Sequence, residues 1–144
     1  MPSLAMSRNE REAFLAATHV AAVSVADPGH GPLTVPVWYR YEPGGAVHFV
    51  TGTTSRKARL IRDAGRIGLC VQTETPPYKY VSVEGPATFG EPDRQRDLHD
   101  VAIRYLGKEM GEQYLAMLAA DPEPAVLVIL KPERWYSVDY SKLL

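Results

Sequence analysis

The chain has one cysteine, Cys70, so no intrachain disulfide can form. That absence fits a reducing compartment, and a cytoplasmic protein is the expectation. Cys70 lies in the apolar run Ile67-Gly68-Leu69-Cys70-Val71, where a thiol acts as a small hydrophobe rather than a reagent. No apolar stretch approaches the ~20 residues needed to span a bilayer, so no membrane partner is expected. Neither sign of charge dominates: 16 Lys and Arg face 17 Asp and Glu, for a formal net charge of -1. Without a global basic field, nucleic acid is not an expected partner and any anion site has to be local.

Familiar reaction centres are missing too. There is no Gly-x-Ser-x-Gly and no Gly-x-Gly-x-x-Gly, and Gly52-Thr53-Thr54-Ser55-Arg56-Lys57 lacks the second glycine of a P-loop. The four histidines, His19, His30, His48 and His99, are scattered, with no pair at i, i+4 metal-ligand spacing. Hydrolase and metalloenzyme readings are therefore weak, and dinucleotide-fold and nucleotide-hydrolysis readings fail. No metal is expected and no catalytic side chain stands out.

What is present fits a single domain over residues 1–144, long enough to bury about two-thirds of its unfolded surface. Ser7-Arg8-Asn9-Glu10 has capping-box spacing and predicts a short helix burying Phe14 and Leu15. Six strands are expected, over 20–26, 33–41, 46–51, 66–73, 80–89 and 125–130. Turn clusters at 27–32 and 42–45 make the first half an antiparallel meander. Gly85-Pro86 marks a bulge or an edge in the fifth strand. Before the last strand come two helices, and Leu98, Val101, Ala102 and Tyr105 give the first of them one buried face. The fold class is thus mainly β, a six-stranded antiparallel barrel with a few helices and an aromatic tail.

The informative segment is 51–62. A strand ends at Thr51, and Ser55 is a candidate N-cap for a helix whose free N–H groups and positive dipole end suit a phosphate. Lys57 lies three and four residues before Leu60 and Ile61, on the inward side, whereas Arg59, Arg62 and Arg66 follow an outward path. These bases either hold a phosphate or form a solvated helix face. The aromatics are equally two-sided: Pro36 and Trp38 share one strand face and Val37 and Tyr39 the other, either lining a planar ligand or packing the sheet. Tyr78-Lys79-Tyr80 either clamps a ring or closes a loop, and Trp135 either covers a pocket or docks the tail.

Taken in order, Val47-His48-Phe49-Val50-Thr51, Ser55-Arg56-Lys57-Ala58, Arg66-Ile67-Gly68-Leu69 and Tyr80-Val81-Ser82-Val83-Glu84-Gly85 resemble the pyridoxamine 5'-phosphate oxidase-like split β-barrel superfamily. Pro36-Val37-Trp38-Tyr39 and Pro77-Tyr78-Lys79-Tyr80-Val81 look most like its actinobacterial F420-binding group. The resemblance implies an FMN-binding split-barrel fold and a cofactor, F420 or FMN, in a groove between the subunits of a homodimer. It implies phosphate contacts from Ser55, Arg56 and Lys57 and ring contacts along Pro36, Val37 and Trp38, with Thr51 nearby. Lys79 and Tyr80, beside Tyr78, would approach from the second subunit, and Trp135 would cover the site. The Arg-x-His pair of true pyridoxamine phosphate oxidases is absent, with Trp135-Tyr136-Ser137-Val138-Asp139 in the corresponding region. The implied function is hydride transfer between the cofactor and a small-molecule substrate, with a non-catalytic cofactor carrier as the alternative.

Overall fold

The computed structural model describes residues 3–144. Ser7 caps α1 (Arg8–Ala16) through the expected box: its hydroxyl accepts from the Glu10 amide at 3.2 Å while Glu10 accepts from the Ser7 amide at 2.8 Å. The Ser7 amide, with the Lys142 ammonium 2.9 Å from the same carboxylate, holds the Glu10 carboxyl at a pKa of about 2. Leu15 is fully buried, whereas Phe14 packs only partly against the core.

The strands are β1 (Ala21–Val25), β2 (Leu33–Val37), β3 (Arg40–Tyr41), β4 (Val47–Gly52), β5 (Arg66–Gln72), β6 (Lys79–Gly90), β7 (Ala125–Leu130) and β8 (Arg134–Asp139). All their pairings are antiparallel, in the order β2-β1-β5-β6-β7-β4-β3, with β8 added to β6. This is a split β-barrel with eight strands, not six. The extra two have distinct origins. The expected strand over 33–41 divides at Trp38 and Tyr39, because the hydroxyl of Tyr105 takes the Tyr39 amide at 3.2 Å in place of a ladder partner. The aromatic tail, not counted among the six expected strands, is β8, paired with β6 from Lys79↔Asp139 to Glu84↔Arg134.

Twelve residues long, β6 joins the two halves of the barrel: its first part pairs with β5 and β8, its second with β7. The crossing falls at Gly85, where a Cβ would stand 1.8 Å from the Lys131 carbonyl oxygen. Only glycine lets the two backbones approach so closely. Tyr39, Phe49, Leu69, Val83, Val128 and Leu130 fill the centre.

Four α-helices decorate the barrel. Ser55 caps α2 (Arg56–Ala64), whose Ala58, Leu60 and Ile61 are buried. After β6 a π-helical turn, Arg94–His99, leads into α3 (Asp100–Leu106) and α4 (Lys108–Ala120). Of the four residues expected on one face here, Ala102 is buried and Leu98, Val101 and Tyr105 are half-buried. Asp97 is buried as well, and takes the guanidinium of Arg40 at 2.5 Å and the Asp93 amide at 2.7 Å.

Candidate functional site

The first turn of α2 is prepared for an anion. Ser55 is extended (φ -65, ψ 155), and its hydroxyl accepts from the Ala58 amide at 3.1 Å and lies 3.1 Å from the hydroxyl of buried Thr51. The loop before it is fixed by Thr53 N–H to the Pro124 carbonyl at 3.0 Å and by Ser55 N–H to the Gly52 carbonyl at 3.1 Å. With Ala58 capped and the Arg59 amide on the Ser55 carbonyl, the amides of Arg56 and Lys57 find no acceptor among the described residues. Two free donors at a positive dipole end form an electrostatic cradle.

The cations around this cradle differ. Arg56 pairs with Asp27 of the β1–β2 turn. Lys57 is half-buried, and burial alone, with no charge or hydrogen bond to offset it, lowers its ammonium pKa. An unpaired ammonium with part of its hydration removed gains most from an anion brought to it. Arg62 reaches back to the Thr53 carbonyl at 3.0 Å and stacks over Phe89 at 4.7 Å, so it braces the loop. Arg66 pairs with Glu133 at 2.9 Å, and Arg59 is exposed.

On β2, Pro36 is exposed and Val37 buried, while Trp38 stacks on Tyr105 with ring centres 5.2 Å apart and 5° between planes. Tyr114 meets the same indole edge-on at 5.5 Å. The Trp38 side chain is thus engaged by the helices, leaving the exposed ring of Pro36 on the strand surface.

The Tyr78 group lies elsewhere. Tyr78 is exposed, Lys79 faces Asp139 at 4.0 Å, and Tyr80 lies 6.0 Å from the Tyr136 ring. Ala22 pairs with Cys70 and Tyr80 with Gln72, so Tyr80 lies level with residue 20 of the strand-β1 edge, whereas Arg56 is tied to Asp27. Among the described residues no hydrogen bond or ion pair links Lys79 or Tyr80 to Ser55, Arg56 or Lys57. Trp135 is apart from both: it contacts Tyr41 (6.3 Å) and Arg11 (4.6 Å) beside the start of β4, while Thr51 sits near its end.

Two acidic residues escaped the sequence reading. Asp27 looked like turn chemistry yet binds Arg56, and Asp139 faces Lys79 while capping Ser141 at 2.9 Å. The registers also align Pro36, Ala22, Cys70, Ser82 and Tyr136 in one row across the outer sheet face. This row is open to solvent at Pro36, Ala22 and Tyr136. Cys70 is half-buried within it, and burial raises its thiol pKa, which keeps it protonated.

Fold and helix end together define a split β-barrel protein with an anion-suited helix N-terminus. The model of the pyridoxamine 5'-phosphate oxidase family matches residues 7–139, and the chain belongs to that family. Among solved structures it is similar to the conserved hypothetical protein Rv2991 from Mycobacterium tuberculosis, with a TM-score of 0.76 and 24% identity over 99% of this chain and 91% of that one. It is also similar to an F420 reductase (TM-score 0.60, 18% identity, 87% and 94% covered). A FAD-binding protein from Mesorhizobium loti aligns with a TM-score of 0.62 at 20% identity over 92% of each chain. No curated protein sequence matches the chain. Among the described residues no helix is long and apolar enough to cross a membrane.

Proposed function

We propose that the protein is an oxidoreductase that binds a flavin-type cofactor, F420 in preference to FMN, in the groove of a homodimer and moves a hydride to or from a small organic substrate. The observation that carries this reading is the first turn of α2: free amides at Arg56 and Lys57, the Thr51 and Ser55 hydroxyls, and a half-buried ammonium with no partner. These groups fit a phosphate. Family membership and the solved neighbours named for F420 and FAD support the flavin-type choice.

In this reading Ser55, Arg56 and Lys57 hold the phosphate, with Thr51 fixing Ser55, and the ring lies along the backbone of Pro36, Val37 and Trp38, since the Val37 side chain is buried and the indole is held by Tyr105 and Tyr114. Tyr78, Lys79 and Tyr80 come from the other subunit, a reading supported by their place at the opposite end of β1 from Asp27, to which Arg56 is tied. The row from Pro36 to Tyr136 offers the small and aromatic side chains that a second copy would cover. The bound ring supplies the hydride chemistry, while the protein binds, orients and shields it. With no Arg-x-His pair, pyridoxamine phosphate is not the proposed substrate.

The test is titration of cofactor-free protein with F420 and with FMN, combined with light scattering and a turnover assay with the reduced cofactor and organic acceptors. A dimer that binds F420 more tightly and passes its hydride on is expected. A monomer with cofactor bound overturns the interface site. An FMN dissociation constant tenfold below that of F420 reverses the cofactor choice, and tight binding without turnover of any acceptor makes the protein a carrier.

A further inference from the structure

The four cations of α2 are not equally free. Arg59 is exposed, Arg62 is turned back on the Thr53 carbonyl and the Phe89 ring, and half-buried Lys57 has no carboxylate partner among the described residues. Arg56, whose amide is one of the two free donors, gives its guanidinium to Asp27. Asp27 is held in place. The turn that carries it is closed by the His30 N–H on the Asp27 carbonyl at 2.9 Å, with Gly29 at φ 84. The Asp27 side chain is 11% exposed against 55% for Arg56, so water screens the carboxylate less than it screens its partner. Such a carboxylate repels any anion brought to the amides beside it.

The charge balance narrows the ligand. At the first turn of α2 the charges of Arg56 and Asp27 offset one another, which leaves the Lys57 ammonium and the two backbone donors for an anion. A phosphodiester carries a single negative charge, whereas a phosphomonoester carries about 1.5 to 2 at neutral pH. Lys57 matches the charge of a diester. The further charge of a monoester gains little from an Arg56 already paired, and it meets the Asp27 carboxylate. Taking the first turn of α2 as the phosphate site proposed above, we infer that Asp27 is a specificity-determining residue that biases the cradle toward a singly charged phosphodiester and against a dianionic phosphomonoester. The two candidate cofactors differ in this group, because F420 carries its phosphate as a diester and FMN as a terminal monoester. One extra phosphate charge facing a carboxylate across a half-exposed site costs a factor of roughly five in affinity.

The probes are FMN and riboflavin 4',5'-cyclic phosphate, which share one ring system and differ in phosphate charge, titrated by fluorescence into the full chain at neutral pH and matched salt. The quantity read is the ratio of their dissociation constants, FMN over cyclic ester, whose change between variants cancels the different shapes of the two phosphates. Asp27→Asn is expected to lower this ratio roughly fivefold, because FMN gains more than the cyclic ester. Asp27→Glu keeps the charge and holds the ratio within about twofold of wild type. So does Glu133→Gln, which takes a carboxylate from Arg66 beyond the far end of α2. Every variant is checked for native circular dichroism, and Arg56→Gln gives a second route, since it leaves Asp27 without its counter-charge and raises the ratio. An unchanged ratio in Asp27→Asn or Arg56→Gln, with both flavins bound and both weakened by Lys57→Ala, overturns the role of Asp27 and leaves the phosphate site standing. The same shift in Glu133→Gln also overturns it, by making net charge the cause. Failure of both flavins to bind, or binding indifferent to Lys57→Ala, refutes the phosphate site itself, and the selectivity falls with it.

Discussion

At the corner where β2 turns into β3, the amide of Tyr39 is held by Tyr105 Oη at 3.2 Å and its hydroxyl donates to the Leu15 carbonyl at 2.6 Å. At the first turn of α2, two amides and an ammonium stay free. Both places combine polar groups with aromatic or basic side chains, and a sequence reading treats both as candidate ligand contacts. The difference is satisfaction. A polar group bound inside the chain specifies the fold, whereas one left open at a dipole end is available to a ligand. Both tryptophans fall on the satisfied side: Trp38 is engaged by Tyr105 and Tyr114, and Trp135 by Arg11 and Tyr41.

If the corner is structural, its disruption lowers stability without selectively weakening ligand binding. Tyr39→Ala removes a fully buried aromatic ring and its hydrogen bonds, and is expected to destabilise the fold by about 3–5 kcal/mol. Urea denaturation measures this, and a loss under ~1 kcal/mol breaks the comparison. Tyr105→Phe keeps the ring stacked on Trp38 but strips its partner from the Tyr39 amide and its donor from the His19 carbonyl. The expected loss is about 1–3 kcal/mol of stability, with cofactor affinity held within about threefold. A large affinity loss at unchanged stability would move Tyr105 to the functional side.

Asp27→Asn sharpens the contrast from the opposite direction. The Asp27–Arg56 pair is half exposed on the arginine side, so removing its charge lowers stability by no more than ~1 kcal/mol. It also takes an anion away from the phosphate cradle and frees Arg56. Cofactor affinity should therefore rise by a few-fold at low salt, an effect that fades as salt screens the site. Weaker binding in Asp27→Asn would mean that the pair positions α2 rather than competing with the ligand.

Local signals in the sequence were legible where local chemistry decides. The Ser7 capping box, the Ser55 N-cap and the apolar run of β7 need only neighbours within four residues, and all three stand as expected. Gly85-Pro86 was legible as an irregularity, but its cause, the Lys131 carbonyl against Gly85, comes from the connection between β7 and β8, which meets it only in space. The division of 33–41 was not legible, because the group that replaces the ladder partner, Tyr105, is 66 residues away. The tail became β8 because the first half of β6 offers it a long antiparallel edge. Composition cannot show which edge is free. The inward side of α2 was legible from its period, and Lys57 is half-buried there. That Arg62 folds back on Thr53 and Phe89 was not, since its partners belong to another turn and another strand.

The central claim is that the first turn of α2 holds the cofactor phosphate, and isothermal titration of wild type, Lys57→Ala and Arg62→Ala with F420 and FMN at matched salt tests it most directly. All three proteins are first checked for native circular dichroism. Lys57→Ala should lose about 1.5–3 kcal/mol of binding, roughly ten- to hundredfold in affinity, because a charge-assisted hydrogen bond to the phosphate disappears. Arg62→Ala should lose well under ~1 kcal/mol, since its guanidinium is turned to Thr53 and Phe89. Equal losses in the two variants would make α2 a generic basic surface and contradict the phosphate site.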